Sequence, residues 1–166
     1  MQKVVVEISD EFAKQFDSYQ DRLEELLILG LRQIKIHESL LFYSRGLVSF
    51  ARAAELAGLP QTEMVQQARA NKNVKFVVVE VDHVDDQLDR VLTIPGVDII
   101  LLDNMGQWQL KHAVELRDQV GRKPLLEASG SITLNNVLTV ASCGIDRISV
   151  GAVTHSAIAV DIGLDR

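Results

Sequence analysis

The chain has 166 residues, 47% of them hydrophobic, and its 17 basic and 23 acidic side chains leave a formal net charge of −6. That is enough apolar material for one ordinary domain or two small ones. The negative balance opposes general attraction to nucleic acid, which needs clustered Lys and Arg, so an anionic ligand has to be held locally. Its lone cysteine, Cys143, excludes an internal disulfide. With no apolar run of transmembrane length and no signal-peptide pattern, the expectation is a soluble, cytoplasmic protein without membrane contact.

In chain order, Val4-Val5-Val6-Glu7-Ile8 is a β-branched run that predicts a short N-terminal strand. Ser9-Asp10-Glu11 follows, a capping serine and two acids suited to the positive end of a helix. Leu23, Leu26, Leu27, Leu31 and Ile34 recur at helical spacing and predict a second helix with this stripe packed in a core. From 47 to 71 the pattern predicts a helix-turn-helix: Ser49 caps a helix through Ala53-Ala54-Glu55-Leu56-Ala57, Gly58 permits the turn, and 61–68 forms the next helix. If that unit met DNA, Gln61, Thr62, Gln66, Gln67 and Arg69 would reach base edges or phosphates; the plain alternative is a helical hairpin. Residues 1–73 carry nine basic and ten acidic side chains, a balance of −1 that supplies little attraction to a duplex.

The opening strand, the leucine-rich helix and Gly46-Leu47-Val48-Ser49-Phe50-Ala51-Arg52-Ala53-Ala54-Glu55-Leu56-Ala57-Gly58-Leu59 resemble small uncharacterised prokaryotic proteins related to antitoxins. The resemblance implies a regulatory or dimerising module.

The polar stretch Asn71-Lys72-Asn73 marks the expected boundary between a 1–73 domain and a 74–166 domain. Beyond it, apolar runs alternate with helical stretches: Phe76-Val77-Val78-Val79-Glu80-Val81, Val97-Asp98-Ile99-Ile100-Leu101-Leu102, Pro124-Leu125-Leu126-Glu127, and a last strand at 147–150. The fold class read from this is α/β: a parallel (βα)4 half of a TIM-like barrel, its sheet covered on both sides, preceded by a small, mainly helical domain with one short N-terminal strand. In such folds reactive groups gather at the carboxyl ends of strands. Glu80, Asp103, Glu127, Ser129, Gly130, Gly151 and His155 lie at or just past those ends. Ser129-Gly130-Ser131 and Gly151-Ala152 can offer backbone N–H groups to a phosphate, and Glu80 and Asp103 can accept from ribose hydroxyls or hold Mg²⁺ against a pyrophosphate. A strand-end acid is also often a plain helix cap, and a lone glycine a plain turn.

Four segments in order are similar to quinolinate phosphoribosyltransferase, over about 79–166: Val79-Glu80-Val81-Asp82, Leu101-Leu102-Asp103-Asn104-Met105, Leu126-Glu127-Ala128-Ser129-Gly130, and Ile148-Ser149-Val150-Gly151-Ala152-Val153-Thr154-His155-Ser156. That family joins quinolinate to phosphoribosyl pyrophosphate with decarboxylation, giving nicotinate mononucleotide for NAD synthesis. The resemblance implies that Glu80 and Asp103 are catalytic, facing the ribose and a Mg²⁺ carried by the pyrophosphate. It also implies that Glu127, Ser129, Gly130, Ser131, Gly151 and His155 surround the phosphate of a phosphorylated ribose ligand. Val78 stands where the family usually has an acid, and Ser131 where it usually has glycine or asparagine. The family's separate N-terminal domain and earlier strands, which supply Arg, Lys and His, are not expected here. A partial site that binds the phosphoribosyl group is therefore the expectation; if it turns over, it is a pentosyl transferase.

A half barrel leaves strand edges and an apolar interior open, so a homo-oligomer is expected, a dimer in preference. The meeting of two families near Lys75 reads as a fusion. His37, His83 and His112 have no zinc-ligand spacing, Trp108 is expected as a packing anchor, and Cys143 as a small buried residue at a helix end.

Overall fold

The computed structural model describes residues 5–121 and 124–151, leaving out the side chains of residues 12, 16–18 and 85. Four short parallel strands, β1 (Val78–Val81), β2 (Ile99–Asp103), β3 (Leu125–Ser129) and β4 (Arg147–Ile148), lie side by side in chain order. Val78 is paired with Ile99, Ile99 with Leu125 and Glu127 with Arg147. Between the strands run a π-helical turn (Val84–Leu88) continuing into α5 (Asp89–Thr93), then α6 (Gln107–Gln119) and α7 (Val137–Ala141). Sequential order with helical crossovers is half of a barrel wall, as the apolar runs indicated.

Strand side chains alternate, and one face carries most of the core, with Ile99 on the other face also buried. Val79, Val81, Ile100, Leu102, Leu126 and Ala128 are buried in a cluster with Leu88, Val91, Leu110 and Ala113 from the helices. Glu80 and Leu125 on the other face are exposed, and Leu101 and Glu127 are half-buried. Coverage on both sides, expected from the continuous apolar runs, is therefore not found among the described residues. The charged layer Glu80, Glu127 and Arg147 explains it: this face is the lining of an open half barrel.

Ahead of the sheet come α1 (Asp10–Phe16), a 3₁₀ turn (Asp17–Arg22), α2 (Leu23–Ser44), α3 (Phe50–Ala57) and α4 (Gln61–Ala70). The α3 start is set by Ser49, whose hydroxyl accepts from the Arg52 N–H at 3.2 Å, and its end by Gly58 at φ 67°. Ile36, Leu40, Phe50, Ala53, Met64 and Val65 join the same buried cluster as the strands, so the core runs on through the polar turn at 71–73.

Three expectations are corrected. The N-terminal strand is not formed over residues 5–8: Val5, Val6 and Ile8 are exposed, and no strand pairs with them. The outer edge of β1, where a further strand would add, is taken by Tyr43 of α2, whose hydroxyl donates to Phe76 O at 3.0 Å and accepts from Val78 N at 2.9 Å. The leucine stripe of α2 is helical but not core, with Leu23, Leu27, Leu31 and Ile34 between 41% and 68% exposed. Helix α2 packs through its C-terminal half, where Ile36, Ser39 and Leu40 are buried, and its N-terminal half overhangs. Trp108 is 68% exposed and stacks on His112 rather than anchoring the core.

One arrangement occurs twice. Asp98, just before β2, accepts from Val77 N at 2.8 Å and from Arg69 of α4. Asp146, just before β4, accepts from Leu126 N at 2.8 Å and from Arg117 of α6. Each aspartate ties the start of one strand to its neighbour and to the helix before it, at the end of the sheet away from the candidate site.

Candidate functional site

The strand ends assemble three carboxylates. Glu80 projects from β1 onto the open face, Asp82 lies two residues on and so on the same side, and Asp103 ends β2 beside them. One oxygen from each lies within 4.8 Å of the others. Gln87, from the π-helical turn, accepts from Asp82 N at 2.9 Å and shapes the loop, while Asn104 Nδ2 donates to Asp103 at 2.7 Å. Like charges this close repel, and a hard divalent cation is the chemistry that offsets them.

Next to this group, the β3 end turns through Ser129-Gly130-Ser131 against Asn104. Asn104 N donates to Ser129 O at 2.9 Å, and the Ser131 hydroxyl to Asn104 Oδ1 at 3.2 Å. Gly130 has φ 85°, and a Cβ there would sit 2.8 Å from the Asn104 backbone nitrogen and closer still to its amide. Glycine is thus required twice over, by conformation and by close approach. Ser131 and Asn104 also adopt positive φ, 51° and 52°. Asn136 holds the loop from the far side, donating to Ser131 O at 3.0 Å and accepting from Thr133 N at 2.8 Å. The result is a cleft of about 290 Å³ lined by Asn104, Ser129, Gly130, Ser131 and Asn136 over an apolar floor of Leu110 and Ala128. Amides and hydroxyls without a carboxylate suit a phosphate.

Glu127 is half-buried on the open face of β3. Its carboxylate accepts from the Ser149 hydroxyl and forms an ion pair with Arg147 Nε at 3.2 Å, so it anchors these two side chains of the β4 segment on the open face. Gly151 is exposed in the turn after β4, and His155 lies outside the described residues. Asp82, Asn104, Arg147 and Ser149 were not singled out in the sequence as site residues. The signal for two of them was the strand period, which puts Asp82 with Glu80 and Ser149 with Arg147.

Three of the residues named for DNA contact have neighbours within the fold. Gln61 and Thr62, at the start of α4, line a pocket of about 430 Å³ together with Glu80, Asp82, Gln87 and Arg90. Arg69 donates to Gly96 O at 2.8 Å and pairs with Asp98. Gln66 is exposed and Gln67 half-buried. The α4 start therefore shares a pocket with the carboxylates Glu80 and Asp82. No helix among the described residues is long and apolar enough to cross a membrane.

Residues 48–165 match the family described as quinolinate phosphoribosyl transferase, C-terminal domain. The chain is 46% identical over 87 residues to the nicotinate-nucleotide pyrophosphorylase (carboxylating) of Mycobacterium leprae, covering 52% of this chain and 30% of that one. It is 38% identical over 104 residues to the probable enzyme of the same name from Methanocaldococcus jannaschii, covering 58% and 36%. The nicotinate-nucleotide pyrophosphorylase structure from Ehrlichia chaffeensis superposes with a TM-score of 0.52 at 33% identity, over 63% of this chain and 36% of that one. The chain thus spans about a third of the length of the curated relatives it matches.

Proposed function

This chain belongs to the quinolinate phosphoribosyl transferase C-terminal-domain family, and from that premise we propose that it supplies the phosphoribosyl-binding part of a quinolinate phosphoribosyltransferase site in cytoplasmic NAD synthesis. The observation that carries this reading is the adjacency of the Glu80, Asp82 and Asp103 carboxylates to the Ser129-Gly130-Ser131 cleft. A phosphoribosyl pyrophosphate has hydroxyls and a metal-bound diphosphate at one end and a lone phosphate at the other. The two subsites have matching chemistry and lie on neighbouring strand ends.

In this reading Glu80 and Asp103 accept from the ribose hydroxyls and orient the sugar. Gly130 and its neighbours, with Gly151 and His155, surround the phosphate, and Glu127 fixes Arg147 and Ser149 beside them. The donor set fits Mg²⁺, since three carboxylate oxygens within 4.8 Å are hard ligands of the kind that ion takes. Glu80, Asp82 and Asp103 would hold it, and when bound it neutralises charge on the departing pyrophosphate. A leaving pyrophosphate calls for positioned cations, and Arg90 borders the carboxylate pocket. A regulator of DNA acting through residues 1–73 gains no support from Arg69, which Asp98 holds.

Calorimetric titration with phosphoribosyl pyrophosphate and Mg²⁺, with and without quinolinate, tests the proposal, followed by an assay for nicotinate mononucleotide. Saturable binding that weakens at least about tenfold in Asp103→Asn is expected. No heat at millimolar ligand would remove the site assignment.

A further inference from the structure

Helix α2 carries a surface that the described residues leave uncovered. At 100° per residue, Leu23, Leu27, Gly30, Leu31 and Ile34 fall within an arc of roughly 100°, opposite the side on which Ile36, Ser39 and Leu40 are buried. The spacing Leu23, Leu27, Gly30, Ile34 steps by four, three and four, the period at which one helix lies along another. The four large side chains of this stripe are 41–68% exposed. Gly30 stands in its middle, where glycine weakens a helix relative to alanine. A Cβ there would meet nothing within 4 Å, so packing among the described residues does not demand it. Close approach of a second helix backbone would.

We infer that the N-terminal half of α2 pairs with the same segment of a second copy of this chain, antiparallel and crossing near Gly30. Charge selects the direction. Glu24 and Lys35 flank the stripe on the same side, six residues before Gly30 and five after it, and both are exposed without an ion-pair partner among the described residues. Antiparallel pairing about Gly30 sets Glu24 of each copy level with Lys35 of the other on the same side of the seam, whereas parallel pairing puts the two copies of each residue on opposite sides and forms no such pair. A two-fold axis there is closed and isologous, so association stops at the dimer. It also differs from strand pairing at the β1 edge, where the Tyr43 hydroxyl already holds Val78 N. This inference stands apart from ligand binding, since no residue of the stripe borders either cleft.

Sedimentation equilibrium of the full chain between about 1 and about 100 µM, the range open to a modest helical seam, is the test. A dimer is expected, shifted to monomer by the double substitution Leu27→Glu and Ile34→Glu with an unchanged far-UV spectrum. Glu24→Lys alone should weaken association at least about tenfold, and adding Lys35→Glu in the same chain should restore it. A monomer at all concentrations, or a dimer indifferent to both the double substitution and the charge exchange, would overturn the inference.

Discussion

The Tyr43 hydroxyl accepts a hydrogen bond from the Val78 N–H at 2.9 Å, and in donating to Phe76 O it occupies the place of a neighbouring strand on the β1 edge. Val77 O, by contrast, points inward and accepts from Ile99 N. A single phenol from a helix therefore blunts a strand edge that would otherwise invite another chain. Tyr43→Phe is expected to lower unfolding free energy by about 1 kcal/mol.

The same phenol gives a pH dependence. Burial pushes its pKa above the usual tyrosine value, with nearby Asp98 adding to the rise and the Val78 hydrogen bond opposing it. The fold favours the protonated form, so this contribution is present in full below about pH 10, where the unfolded tyrosine titrates, and is lost as pH rises through the folded value. Urea midpoints between pH 8 and 11 should fall more steeply for the wild type than for Tyr43→Phe; parallel curves would refute the assignment.

Arg117 and Arg69 make the same kind of bond in different surroundings. The Arg117 side chain is 9% exposed, that of Arg69 43%. Arg117→Ala leaves Asp146 and the start of β3 without their cation and should cost about 3 kcal/mol. The Arg69→Ala cost should be nearer 1 kcal/mol, because water screens and replaces that pair. Equal losses in chemical denaturation would show that burial does not govern these two pairs.

Gly130→Ala places a side chain at positive φ and against Asn104, so a loss of about 2 kcal/mol or more is expected. At Gly151 an added Cβ meets nothing within 4 Å, and Gly151→Ala should change stability by less than about 0.5 kcal/mol. In the proposed site both substitutions weaken phosphoribosyl binding. Thermal melts run beside ligand titrations separate the two effects.

Magnesium at millimolar concentration should raise the melting temperature of the wild type through preferential binding to the folded state, and EDTA should reverse the rise. In Asp82→Asn the shift should shrink or vanish. An undiminished shift would place the ion elsewhere.

The sequence by itself determined the parallel sheet and its order, because apolar runs of strand length alternate with helical segments. It also determined that Glu80, Asp103 and Ser129-Gly130-Ser131 lie at strand ends, since that follows from where each apolar run stops. The helical period of Leu23, Leu27, Leu31 and Ile34 was equally legible, but a period identifies a face without saying what covers it. Only tertiary structure showed that face bare and Tyr43, 35 positions before Val78, completing a strand edge. Likewise, only the lateral register of β1 and β2 brings Asp82 within reach of Asp103, and only the docking of α4 turns Arg69 toward Asp98. Local propensity and periodicity act over a few residues, whereas these relationships depend on how whole elements are laid against each other.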